Sequence, residues 1–195
     1  MNHFYSILLI GASAGGTRVL KTICDELPQD FPLPIVVVLH RLRNQDSQLE
    51  DFLNQDCRLT VKEATLTERI QKGTVYLAPR NYHLLIEEEG SLSLSVEEPV
   101  SYARPSIDLL FESGALVYGP QTIGVILTGS NGDGAVGMAK IREEGGMTMV
   151  QDPKEAQFEA MPLAAIREAH PQHVFQIEEL IPLLQKILTL NEGEE

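Results

Sequence analysis

Short runs of apolar and β-branched residues alternate along the chain with segments in which apolar residues recur every three or four positions. The first pattern is typical of strands and the second of helices that pack against them. Several of the runs are apolar at every position, which indicates strands buried on both faces. The predicted strands cover residues 6–11, 35–39, 73–79, 122–127, 147–151 and 173–175.

Helical spacing fills the intervals between these strands. The predicted helices cover residues 16–27, 47–54, 105–118, 134–145, 158–169 and 177–188. Pro28 ends the first of them, and Pro105 suits the first turn of the third. This order of elements predicts the α/β class, with a doubly wound, mainly parallel sheet and helices on both faces.

One segment has a different pattern of apolar and polar residues. Residues 83–89 and 91–96 alternate apolar and polar positions on either side of Gly90, and their outer face is acidic. This pattern predicts a small antiparallel hairpin inserted into the parallel fold. No repeat or linker interrupts the chain, so we expect one domain over residues 1–190 and a disordered acidic tail over 191–195.

Composition and charge exclude several classes of protein. The 195 residues carry a net charge of -13, which disfavours nucleic-acid binding because phosphates are neutralised by lysine and arginine. No apolar run approaches the length that inserts into a membrane, and the N-terminus lacks the features of a signal peptide, so we expect a cytoplasmic protein. The two cysteines, Cys24 and Cys57, have neither disulfide-framework nor metal-site spacing. We therefore expect no bound metal.

A glycine-rich turn, Gly11-Ala-Ser-Ala-Gly15, follows the first predicted strand and opens a helix. It fits G-x-S-x-G, in which a sharp turn exposes a nucleophilic serine, here Ser13, beside helix N-terminal amides. A dinucleotide-binding turn is a weaker interpretation because the G-x-G-x-x-G spacing is absent. Glycine turns of this kind also occur for packing alone, so the motif by itself leaves the alternatives open.

Two further residues follow predicted strands, His40 after the second and Asp133 in the turn 128–134. Parallel strands gather such residues at one edge of the sheet, and Ser, His and Asp supply nucleophile, base and orienting acid whatever their order in the chain. Each also has an ordinary structural interpretation, as a strand-end histidine or a turn aspartate. His83 competes for the role of base, but it lies in the predicted hairpin, away from the main sheet.

Several ordered motifs together resemble the catalytic domain of the chemotaxis protein-glutamate methylesterase family, CheB. They are residues 10–16, the strand ending in His40, residues 75–79 leading to His83, residues 105–108, residues 127–129 with 133–135, and residues 161–162. The resemblance implies Ser13 as nucleophile, His40 as general base and then acid, Asp133 as its partner, and no cofactor. It also implies hydrolysis of glutamyl methyl esters on cytoplasmic helices of chemoreceptors, with glutamine deamidation in some members.

The sequence departs from the family pattern in two loops. Ala14 stands where members often have threonine, and Gly129-Ser130-Asn131 where they often have Gly-Met-Gly. The backbone N–H groups of Ala14 and Ser130 remain as expected oxyanion donors. A hydroxyl at position 14 is lost, so oxyanion stabilisation is expected to be weaker or differently arranged.

Substrate approach and control are the remaining expectations. Arg18, Arg41 and Arg43 are candidates for a basic rim that attracts an acidic substrate, although separate solvated arginines explain them equally well. The first strand begins within ten residues of Met1, so we expect no receiver domain ahead of it, constitutive activity, and control by a separate regulatory protein, by substrate presentation or by expression. Two alternatives stay open: an esterase or amidase acting on another substrate, and a catalytically weak docking or signalling module.

Overall fold

The computed structural model describes residues 4–41 and 49–190. In that part of the chain the strands are β1 (Ile7–Ala12), β2 (Ile35–Leu39), β3 (Thr60–Glu63), β4 (Thr74–Leu77), β5 (His83–Ile86), β6 (Leu92–Ser95), β7 (Thr122–Ile126), β8 (Met147–Gln151) and β9 (His173–Phe175). The helices are α1 (Gly16–Glu26), α2 (Leu49–Asn54), α3 (Ile107–Tyr118), α4 (Ala135–Glu143), α5 (Ala160–Ala169) and α6 (Ile177–Leu190).

The main sheet has seven strands in the order β3-β4-β2-β1-β7-β8-β9, and all of its pairings are parallel. Its central strand β1 is buried throughout and sends alternate side chains to opposite faces. Leu8 and Ile10 join the core under α1, α2 and α6, whereas Ile7 and Leu9 join the core under α3, α4 and α5. The predicted doubly wound α/β fold is confirmed.

The predicted hairpin is also present, as the antiparallel pair β5 and β6, which forms its own two-stranded sheet. The strands are shorter than predicted because residues 87–91 form the connection, closed by a hydrogen bond from the Glu87 N–H to the Ser91 carbonyl at 2.9 Å. The hairpin packs against α3, where the Ile86 N–H donates to Ser113 Oγ at 3.1 Å.

The structure adds one strand to the prediction and moves the start of one helix. The edge strand β3 was missed, because Thr60–Glu63 is short, polar and partly exposed and therefore lacks an apolar run. Helix α3 begins at Ile107 rather than at Pro105, because Ser106 is its N-cap and accepts a hydrogen bond from the Leu109 N–H at 3.5 Å.

Some predictions fall beyond the described part of the chain. Residues 49–54 of the helix predicted over 47–54 are helical, and residues 47–48 lie outside the described residues. Arg43 and the predicted tail over 191–195 also lie outside them. The extent of the domain therefore stays a prediction. Among the helices of residues 4–41 and 49–190, none combines the length and apolar character needed to cross a bilayer.

Candidate active site

Three loops meet at the carboxyl edge of the sheet because β2, β1 and β7 are neighbours in it. The register pairs Ala12 with Leu39 across β1 and β2, so Ser13 and His40 leave their strands at the same level. Backbone hydrogen bonds join these loops: the His40 N–H donates to the Ala12 carbonyl at 2.9 Å, and the Ser13 N–H donates to the Thr128 carbonyl at 3.0 Å. The three predicted site residues thus arise from adjoining loops.

His40 and Asp133 are in direct contact. The Nε2 atom of His40 lies 2.9 Å from Asp133 Oδ2, with the Asp133 side chain fully buried and the His40 side chain 14% exposed. The ring is turned so that an Nε2–H would not point straight along this line, which makes the contact a close electrostatic pair rather than an aligned hydrogen bond. Nδ1 is then the ring nitrogen left for another partner.

The carboxyl of Asp133 is held by the first turn of α3. Its Oδ1 accepts from Ser106 Oγ at 2.9 Å and from the Asp108 N–H at 3.1 Å, and its Oδ2 accepts from the Ile107 N–H at 2.8 Å. Burial alone would raise the pKa of Asp133, but the adjacent His40 ring and these backbone N–H groups outweigh it and hold that pKa below its ordinary value. The aspartate is therefore ionised and fixed in orientation.

Ser13 lies on a tight turn between β1 and α1. Gly15 has φ +79°, a conformation suited to glycine, and a Cβ on Gly16 would come within 2.7 Å of the Ala12 Cβ, so the turn requires glycine at both positions. Ser13 and His40 line one cavity of about 760 Å³, and Asp133 lies beneath it. In the described structure Ser13 Oγ makes no hydrogen bond with the His40 ring.

The family model for CheB methylesterase matches residues 8–184. The chain belongs to the CheB methylesterase family. The resemblance predicted from the motifs is confirmed.

Relatives in this family match over most of the chain. One from Leptospira interrogans is 44% identical over 94% of this chain and 95% of its own length. Another, the protein-glutamate methylesterase/protein-glutamine glutaminase 1 of Carboxydothermus hydrogenoformans, is 45% identical over 82% of this chain and 48% of its own length. The crystal structure of the Thermotoga maritima CheB methylesterase catalytic domain matches with a TM-score of 0.87 and 34% identity, covering 95% of this chain and 98% of that one.

The loops in which this CheB-family chain departs from the expected pattern border the cavity. Ala14 and Ser130 both line it, and neither backbone N–H donates to another group of the described residues. The hydroxyl of Thr128 lies nearby, but it donates to the Ala14 carbonyl at 3.0 Å and accepts from the Phe158 N–H at 2.9 Å. Thr128 is fully buried and braces the turn, so it does not replace a hydroxyl at position 14.

Arginine side chains border the cavity. Arg18 and Arg41 both line it; Arg18 is exposed, whereas the Arg41 guanidinium is 3.0 Å from Glu63 Oε1 and its side chain is only 7% exposed. Arg43 lies outside the described residues. Arg80 and Arg104, which the sequence did not single out, line the same cavity. The cavity is therefore bordered by arginines from several loops.

Several supporting residues were missed because their roles depend on tertiary contacts. Ser106 and Asp108 bind Asp133, and Gln151 Oε1 accepts from the Thr128 N–H at 2.8 Å. His83 is not beside the nucleophile but fully buried, with Nδ1 accepting from the Ser106 N–H at 3.1 Å and Nε2 lying 3.1 Å from the Glu98 carbonyl. It supports the cap of α3 from the hairpin.

Across residues 4–41 and 49–190, no group of three or more histidine, cysteine, aspartate or glutamate side chains is placed to hold a metal ion.

Proposed function

We propose that this protein is a protein-glutamate methylesterase that hydrolyses glutamyl methyl esters on chemoreceptor-type proteins, with Ser13, His40 and Asp133 as its catalytic residues. The observation that carries the proposal is the contact of 2.9 Å between the buried, ionised Asp133 and Nε2 of His40, which lines the same cavity as Ser13. Membership of the CheB methylesterase family supports the substrate class.

The reaction has two halves. Ser13 Oγ attacks the ester carbonyl while His40 takes its proton, and the tetrahedral intermediate collapses to an acyl-enzyme as His40 returns the proton to the leaving methanol. Water, deprotonated by His40, then releases the glutamate carboxylate and restores the serine. Because Nε2 faces Asp133, the proton moves through Nδ1 in both halves. Asp133 stabilises the imidazolium that forms each time.

Negative charge on the substrate oxygen is met by the backbone. Ala14 and Ser130, on two different loops, line the cavity together with Ser13, and Ala14 lies just before the N-terminus of α1. Preorganised donors of this kind stabilise the oxyanion without a side-chain hydroxyl. Glutamine deamidation follows the same steps with ammonia as the leaving group, in keeping with the second activity in the name of the Carboxydothermus relative.

The test is methanol release from methylated receptor fragments by the wild type and by Ser13→Ala. Removing the nucleophile should lower turnover by several powers of ten. Ser6→Ala is a matched control because Ser6 lies just before the opposite end of β1, where its hydroxyl contacts Gln121. Wild-type methanol release from a folded Ser13→Ala protein would overturn the assignment.

A fluorophosphonate probe separates an enzyme from a docking module of the same fold. Covalent labelling of Ser13, lost in Ser13→Ala and in His40→Ala, is expected of an activated serine. Labelling with no turnover of methylated receptor fragments would leave an esterase or amidase that acts on another substrate. An unlabelled wild-type protein would favour the docking module.

A further inference from the structure

A two-residue turn borders the cavity of the candidate active site, and the proposed reaction gives it no part. Its ends are joined by two backbone hydrogen bonds. The Val100 N–H donates to the Ala103 carbonyl at 3.1 Å, and the Ala103 N–H donates to the Val100 carbonyl at 2.8 Å. The tip consists of Ser101 and Tyr102, and Tyr102 lines the cavity. The turn therefore brings an aromatic side chain to the catalytic residues.

The backbone at the tip of this turn is strained. Ser101 has φ +49° and Tyr102 has φ +63°. Two consecutive positive φ values are typical of a type I′ turn, in which asparagine and glycine are the usual residues. A bulky residue is an outlier in this conformation, and strained backbone of this kind is concentrated at functional sites. Glycine would form the turn at lower cost, so the turn by itself does not explain the tyrosine.

The side chain of Tyr102 is fully exposed to solvent. Within residues 4–41 and 49–190 its hydroxyl has no hydrogen-bond partner, and its ring has no aromatic or cationic neighbour. A single exposed aromatic residue is ordinary on a protein surface. Tyr102 differs from such a residue because it lines the catalytic cavity and is held there by a strained turn.

The chain on both sides of the turn is anchored. The guanidinium of Arg104 donates to the carbonyls of Val96 and Glu97 at 2.7 and 2.9 Å. Nε2 of the buried His83 lies 3.1 Å from the Glu98 carbonyl. Because these contacts hold the segments that lead into and out of the turn, its tip is already positioned when a substrate arrives. Preorganisation of this kind lowers the entropy cost of binding.

We propose that Tyr102 is a specificity-determining residue that contacts the polypeptide carrying the esterified glutamate, by packing its ring against an aliphatic side chain of that segment. The cavity of about 760 Å³ is in the range of pockets that hold drug-sized ligands, so it has room for more than the esterified side chain. Tyrosine suits this contact because it buries a large ring while ordering only two side-chain torsions. This inference rests on the proposed function, and it names a residue by which the enzyme prefers a protein ester to a small one.

Tyr102→Ala tests the inference by removing the ring. On methylated receptor fragments kcat/KM should fall about tenfold, as expected for an aromatic contact residue. The loss should lie in KM, with kcat within about twofold of wild type, because the contact binds the ground state and the transition state alike. On a small neutral methyl ester, which carries no polypeptide, kcat/KM should stay within about twofold of wild type.

Two variants serve as controls for Tyr102→Ala. Tyr102→Phe keeps the ring and should retain most of the activity on receptor fragments. Tyr82→Ala removes another exposed tyrosine, which is not among the described residues that line the cavity, and it should leave both activities unchanged.

Tyr102→Gly adds a measurement of stability. Glycine adopts a positive φ without strain, so this variant should unfold at a urea concentration at least as high as wild type and higher than Tyr102→Ala. It should nevertheless share the tenfold loss on receptor fragments, because it lacks the ring. A Tyr102→Gly protein that unfolds at lower urea than wild type would show that the ring supports the fold, and would overturn the inference.

The outcomes also separate this inference from the proposed function. Wild-type kcat/KM of Tyr102→Ala on receptor fragments, or equal losses on fragments and on the small ester, would overturn the role of Tyr102 and leave the proposed function standing. A wild-type protein that hydrolyses the small ester but releases no methanol from receptor fragments would overturn the proposed function, and the role of Tyr102 with it.

Discussion

Gly137→Ala would place a methyl group of α4 against the first turns of α3, the helix whose N-terminus holds Asp133. A Cβ on Gly137 would lie 2.7 Å from the carbonyl oxygen of Asp108, 2.7 Å from the Cβ of Phe111 and 2.9 Å from the Cα of Asp108. None of these atoms is the movable end of a flexible side chain. The new methyl group can be accommodated only if α3 and α4 separate.

The size of the effect follows from these distances. Nonbonded carbon atoms rest at about 3.5 Å or more, so the helices must move apart by nearly 1 Å, and overpacking of this kind costs about 1–3 kcal/mol. Alanine recovers up to about 1 kcal/mol through its better helix propensity. We therefore expect a net loss of about 1–2 kcal/mol in the free energy of unfolding.

Activity should fall as well, because the displaced turn of α3 carries the N–H groups that hold Asp133. A shift of this size in a positioning group lowers kcat by about tenfold to a hundredfold. The measurements are urea unfolding followed by circular dichroism and kcat on a small ester. Val136→Ala is the control, since Val136 is the preceding residue of α4 and is 55% exposed. A Gly137→Ala protein as stable and active as wild type would refute the reasoning.

Four further predictions concern charge. Asp133→Asn should lower turnover by about a hundredfold or more while the fold persists. Acidification below about pH 4 should reduce the unfolding free energy of this variant less than that of wild type. The reason is that the lowered pKa of Asp133 stabilises the wild type, and this stabilisation is lost when the carboxylate is protonated. Asp108→Asn should be more stable than wild type above pH 6, by at most about 3 kcal/mol in urea unfolding, because the raised pKa of Asp108 makes stability fall as the pH rises from 3.8 to about 6. Arg18→Glu should lower kcat/KM on an acidic peptide ester and spare a neutral one, and equal losses on both would contradict a recruiting role. EDTA should leave esterase turnover unchanged; a loss restored by zinc would disprove this.

The sheet could be predicted because its central strands are buried on both faces. A strand such as β2, apolar at all of its positions, has few other places in a folded protein. The edge strand β3 could not be found in this way, because half-exposed residues carry no apolar run and the pairing with β4 depends on register. Strand propensity and the pattern of apolar residues therefore predict the central strands of the sheet better than its edge strands.

The candidate site was predictable in part. Ser13, His40 and Asp133 follow predicted strands, and the shared edge of a parallel sheet brings such residues together. The partners of Asp133 come instead from the start of α3, and nothing in the local sequence says that this helix points its N-terminus at the turn after β7. The ion pair of Arg41 with Glu63 could not be predicted either, because it depends on the position of the edge strand β3.

The hairpin of β5 and β6 bears on how the molecule could be rebuilt. Lying outside the main sheet, it resembles a removable module that an engineer would trim or exchange for another binding loop. The imidazole of His83 forbids a clean excision, because it accepts from the Ser106 N–H, and the Ser106 hydroxyl in turn donates to Asp133. A graft that keeps this one side chain preserves the support, whereas a graft that discards it removes an indirect support of Asp133, which lies two hydrogen bonds away.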